Sequence, residues 1–267
     1  MLAILASLGF VFGQEPDPSP AIVDQREYAD SINGCGPASI LNLLRFSRPE
    51  LQAIEPQLVG ATDAVRMRFL VDRYFRNRPS VVYPGQKRWG VHGIQSADLF
   101  TGLNELLEEN GVRELRATYL DREEEEAESD HLERIHDMIA DSLENGVKPI
   151  LSVRSFVVRH RDDKGPAWES GWHHNVVIRE IEEPRDETGF ALKALDPFRG
   201  KEVSLYVHVE GGGQSFRALK GIHESGTWLD GRPFLQVLAP DLPTVRPQNV
   251  TWSERFIVVA NFLIGDF

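Results

Sequence analysis

The apolar residues of this chain recur at helical spacing as far as Gly146 and at strand spacing after it. That switch of period narrows the fold more than any other feature of the sequence. Before the switch, Cys35 is followed by GPASILNLLRF, where Ile40, Leu41, Leu43 and Leu44 make a broad apolar helical face. Pro37 fits the first turn of that helix, where a missing N–H is no loss. Residues 61–76 form a second helical stretch, ended by Pro79. Residues 96–110 form a third, with Leu99, Leu103, Leu106 and Leu107 on one face and Gly111 as its stop. Residues 130–145 form a fourth, with Leu132, Ile135, Met138, Ile139 and Leu143 inward and Gly146 as its end. After the switch, β-branched or alternating runs predict strands at 149–158, 174–181, 189–195, 201–209, 234–238 and 256–263. Residues 159–171 read as a polar loop. The expectation is an α+β fold, a helical N-terminal half packed on an antiparallel sheet from the C-terminal half.

No Pro/Gly-rich linker or repeat divides the 267 residues, so residues 22–267 are expected to form one domain. The formal net charge of −12 argues against nucleic acid and against anionic membranes, both of which need clustered Lys and Arg. The acid excess peaks at 121–130 (DREEEEAESD), which reads as a solvated loop or frayed helix end, without the spacing or central Gly of a calcium loop. Residues 2–12 are almost wholly apolar, yet too few to span a bilayer, which takes roughly 20. The segment 1–13 therefore reads as a secretory signal, although it lacks the usual basic start, with 14–21 as a disordered linker. The expectation is a secreted or periplasmic protein with no membrane span once the signal is removed.

Cys35 is the only cysteine. An exported protein ordinarily pairs its thiols, so a lone one is a free thiol of interest. At a helix start, the helix dipole and free N–H groups favour the thiolate, the reactive form. Gly34 and Gly36 leave the sulfur uncrowded. In GWHHNVVIREI a histidine opens a strand; His173 and His174 would point to opposite faces, so one of them at most serves as base. Asp196, in ALDPFRG, ends the following strand. If the two strands pair, it returns beside the histidine and can fix its tautomer, although Asp-Pro is also a common turn opener.

These three stretches, GCGPASILNLL, HHNVV and LDPFRG in that order, resemble the bacteriocin-processing branch of the papain-like cysteine peptidases over roughly residues 22–205. The resemblance implies a papain-like fold, with Cys35 as nucleophile, His174, the histidine followed by x-Val-Val, as base, and Asp196 as its orienting partner. It implies a glutamine upstream of the cysteine as oxyanion donor. Gln25 is the candidate, though ten residues away, with Asn33 as the alternative. Trp168, Trp172 and His173 flank the base and are candidates for the wall of a substrate cleft. The implied activity is hydrolysis of a peptide or isopeptide bond in a peptide or protein substrate, with no cofactor and no metal. Two alternatives remain open at this stage. One is a transglutaminase-like acyl transferase, whose histidine is usually followed by an aromatic residue where this chain has Asn175. The other is a non-catalytic binding protein on a papain-like scaffold.

Overall fold

A computed structural model describes residues 20–28, 33–160, 166–183, 185–209, 216–217, 233–242 and 256–267. The expected signal segment and most of the expected linker lie outside the described residues. The elements in chain order are α1 (Cys35–Phe46), α2 (Pro49–Gln52), α3 (Asp63–Leu70), which runs into a π-helical turn at Val71–Phe75, and a small hairpin of β1 (Trp89–Gly90) and β2 (Gly93–Ile94). Next come α4 (Ser96–Glu109), β3 (Arg116–Tyr119), α5 (Glu128–Glu144), β4 (Ile150–His160), β5 (Pro166–Glu183), β6 (Gly189–Asp196) and β7 (Lys201–His208). The chain ends with β8 (Phe216–Arg217), β9 (Pro233–Phe234), β10 (Gln236–Leu238) and β11 (Phe256–Gly265). The protein is α+β, with helices packed on an antiparallel sheet.

The sheet has seven strands in the order β10-β7-β6-β5-β4-β11-β3. All of its pairings are antiparallel. A further pairing of β10 with β11, Gln236 opposite Val259, closes six of the strands into a ring and leaves β3 on the outside of β11. Two expectations are corrected here. The N-terminal half is not wholly helical, because β3 lies between α4 and α5 and joins the sheet. The polar loop expected at 159–171 is shorter, since β4 runs to His160 and β5 begins at Pro166. A β-ladder can continue through polar residues when both backbones are already in register, as Arg159 opposite Ala167 is here.

Strand alternation divides the apolar residues between two cores. Ile150, Val177, Leu195 and Ile264 face α1, α3 and α4. Leu151, Val153, Val176, Ile178, Leu192 and Ala194 take the opposite face and form the other core with α5. Each buried aliphatic side chain of this size stabilises the fold by roughly 1.5–3 kcal/mol. α1 is buried along nearly its whole length, from Cys35 to Leu44. Its approach to β2 and α4 depends on Gly36, where a Cβ would sit 2.7 Å from Ile94 Cγ2 and 3.2 Å from Leu99 Cδ1. Gly36 thus serves close packing of the start of α1. The acidic stretch before α5 is mostly exposed, as expected. It is nonetheless organised by cations: Arg134 Nε donates to Glu126 at 2.7 Å, and Arg122 pairs with Glu128.

Candidate active site

Cys35 is the first residue of α1 and is 9% exposed. It stands at the N-terminal end of a buried helix, where an anion interacts favourably with the helix dipole. The wall opposite belongs to β5. Pairing between β5 and β6 begins at Val177 opposite Leu195, so His174 and Asn175 run on past the end of β6. α1 packs into that space, and Ser39 Oγ donates to the Asn175 carbonyl at 3.2 Å.

His174 and Asp196 share the strand face that continues into the core with α5. His174 Nε2 is 2.7 Å from Asp196 Oδ1, and the two residues are 2% and 0% exposed. Asp196 Oδ1 also accepts from the Phe198 N–H at 2.8 Å. The turn role and the histidine-orienting role of this aspartate are therefore filled by one atom. The turn is tight: Arg199 has φ +75° and Gly200 φ +55°. A Cβ on Gly200 would lie 2.8 Å from the Ile22 carbonyl.

The charges follow from these contacts. Burial lowers the imidazole pKa of His174, but hydrogen bonds to Asp196 and Cys35 outweigh it and raise the value to about 9. Burial also pushes the Cys35 thiol up. It is outweighed by the hydrogen bond and charge of His174, then by the backbone and side-chain N–H groups of Asn175, and the thiol ends below its ordinary value. Because Nε2 of His174 is held by Asp196, the ring addresses the sulfur through Nδ1. The pair favours imidazolium and thiolate.

His173 lies on the other face, as strand alternation requires. It is half-buried, its Nε2 is 3.0 Å from Ser96 Oγ, and it stands opposite Arg154 in the register. Burial, then the charges of Arg154 and His174, holds it well below the ordinary histidine value. Ser96 Oγ lies 3.1 Å from Ser152 Oγ, Ser152 Oγ lies 2.5 Å from Asn175 Oδ1, and Asn175 Nδ2 lies 3.6 Å from Cys35 Sγ. Asn175 is the site residue that sequence reasoning missed. Its position directly after the candidate base was the available signal, but Asn inside a strand reads as a weak strand former rather than as a ligand for sulfur.

The remaining candidates are placed as follows. The Gln25 N–H donates to the Pro197 carbonyl at 2.7 Å, which brings this 1% exposed residue to the Asp196 turn. Asn33 Nδ2 donates to the Val91 carbonyl at 3.4 Å, on the β1–β2 hairpin. The Trp172 N–H donates to Ser155 Oγ at 2.8 Å. The Trp168 side chain lies outside the described residues. Among the described residues, no group of three or more His, Cys, Asp or Glu is arranged to hold a metal ion. No described helix is long and apolar enough to cross a membrane.

No family model matches the chain, and neither the curated proteins nor the solved structures give a match.

Proposed function

We propose that the protein is a thiol hydrolase that cleaves a peptide or isopeptide bond through Cys35, His174 and Asp196. The observation that carries this reading is the His174 ring, bonded at Nε2 to buried Asp196 and made more basic by Asp196 and by a cysteine at the start of a buried helix. In this reading the Cys35 thiolate attacks the substrate carbonyl. The oxyanion that forms is stabilised by the Cys35 N–H, with Gln25, or alternatively Asn33, as the second donor. The His174 imidazolium then gives its Nδ1 proton to the leaving amine, and an acyl-enzyme remains. Water attacks that thioester. His174 takes the water's proton, the acid leaves, and the thiolate is regenerated. Asp196 holds the ring in position and supports its charge.

The same proposal includes a papain-like arrangement of the domain, membership of the bacteriocin-processing-like branch, and export directed by the apolar segment at residues 2–12. The order of the three motifs supports the first two, together with a nucleophile on a helix and a base and carboxylate on adjoining antiparallel strands, and the apolar run itself supports the third. The test is hydrolysis of an unfolded protein substrate and of a fluorogenic peptide library by the purified chain. Activity is expected to disappear in Cys35→Ala while its circular dichroism and melting temperature stay close to wild type. Thiol-independent hydrolysis surviving in Cys35→Ala would overturn the reading.

A further inference from the structure

The Cys35 sulfur has a second, uncharged set of partners on the side of β5 that faces the helices, apart from the His174–Asp196 pair. The geometry points to Asn175 as a positioning residue that holds the Cys35 sulfur in its ionised form, with its amide locked in orientation by Ser152, Ser96 and His173. The inference rests on the thiol-hydrolase reading and adds to it a group outside the triad.

The direction of each hydrogen bond in this line follows from donor and acceptor count. Facing an anionic sulfur, the Asn175 amide must present Nδ2–H, because a carbonyl oxygen at 3.6 Å would repel the charge. Oδ1 then faces Ser152 at 2.5 Å and can only accept, so the Ser152 hydroxyl proton is committed to it. Ser152 Oγ must accept from Ser96 across 3.1 Å, and Ser96 in turn accepts from His173 Nε2–H across 3.0 Å. The line has one polarity from end to end and ends at the sulfur. A neutral His173 protonated on Nε2 completes it, which fits the low proton affinity of that ring.

Burial makes the arrangement consequential. Asn175 and Ser152 are 0% exposed and Ser96 is 7% exposed, so bulk water does not replace a lost link. A hydrogen bond to an ionised acceptor is roughly twice as strong as a neutral one. The groups facing the sulfur are Asn175 and His174 from β5, at the positive end of the α1 dipole, and, through His174, Asp196 at the end of β6. Arg154 on β4 and His173 lie at the far end of the line. Two walls therefore stabilise the thiolate, and the neutral one works without a proton-transfer partner.

The pH dependence of Cys35 alkylation by iodoacetamide tests this without any substrate. In the wild type, the rate should rise well below the pH of a free thiol, whose pKa is about 8.5. In Asn175→Ala the profile should move up so that alkylation at pH 6 is about tenfold slower, the effect of one pKa unit, while the plateau rate above pH 9 is unchanged. An altered plateau with an unshifted midpoint would mark a change of access alone and overturn the proposal. Ser152→Ala, which frees the amide to rotate, should shift the profile the same way by about threefold; it provides the test if Asn175→Ala does not fold. A normal wild-type profile that neither variant moves overturns the role of Asn175 and leaves the hydrolase reading standing. A wild-type thiol that titrates like a free one overturns both.

Discussion

Two neighbouring histidines on one strand, His173 and His174, have opposite electrostatic fates. His174 is the less exposed and yet the more basic, raised to about 9. His173 is half-buried and held well below its ordinary value. Burial lowers both, so the difference comes from their partners. On the face continuous with the core that contains α5, the ring meets the Asp196 carboxylate at 2.7 Å. On the helix-facing side it meets a serine hydroxyl and stands opposite Arg154. One residue of strand alternation thus separates a charged wall from a neutral one, with Cys35 between them. Partner identity, rather than depth, decides which histidine can act as base.

Removing each ring in turn separates the two histidines most sharply. His174→Ala should lower hydrolysis by on the order of 10³-fold, within the range of a positioned acid–base group. His173→Ala loosens only the last link of the neutral line and should cost less than about tenfold. Steady-state kinetics on both variants decide it, and losses of equal size would show that the two walls are not distinct.

Asp196 sharpens the same contrast at smaller amplitude. Both of its described hydrogen bonds converge on Oδ1, from His174 and from the Phe198 N–H. Asp196→Asn can keep both with its own oxygen and loses only the charge, so roughly 10- to 100-fold of activity should go with little change in melting temperature. Asp196→Ala loses the turn contact as well. Removing one member of a buried pair costs roughly 3–5 kcal/mol, so melting should fall on the order of 10 °C. The pH dependence of that difference has a definite sign. His174 has a raised folded-state pKa, so its contribution is fully present below its unfolded value of about 6.5 and is lost as pH rises through about 9. The Cys35 thiol has a lowered value, so its contribution is present above its unfolded value and is lost as pH falls through the folded one. The gap in melting temperature between wild type and Asp196→Ala should therefore narrow above pH 9.

Cys35 and the charged wall were legible in the sequence because each residue stands near an element boundary with a local signature, and the family resemblance chose His174 over His173. Cys35 precedes Gly-Pro at a helix start, His174 precedes a β-branched run, and Asp196 precedes Pro-Phe-Arg-Gly. The helices α1, α4 and α5 were legible by apolar period, since each presents an apolar face over at least three turns. The neutral wall was not legible. Ser96, Ser152 and Asn175 come from α4, β4 and β5, and only strand register brings them together. Ring closure was hidden for the same reason: it depends on the short strand β10 pairing with β11 at one position. β3 is four residues long, too short for alternation to show. Gln25 reached the site region through its backbone bond to Pro197, which spacing from the cysteine does not encode.

The central claim is that His174, and not His173, is charged beside a thiolate at working pH. Nitrogen-resolved NMR of the ¹⁵N-histidine-labelled protein, with each ring assigned through His173→Gln and His174→Gln, reads this directly. At pH 7.5 the His174 ring should show the shifts of an imidazolium, titrating only near pH 9, while the His173 ring should be neutral with its proton on Nε2. A neutral His174 at pH 7.5, or a His173 that carries the charge in its place, would contradict it.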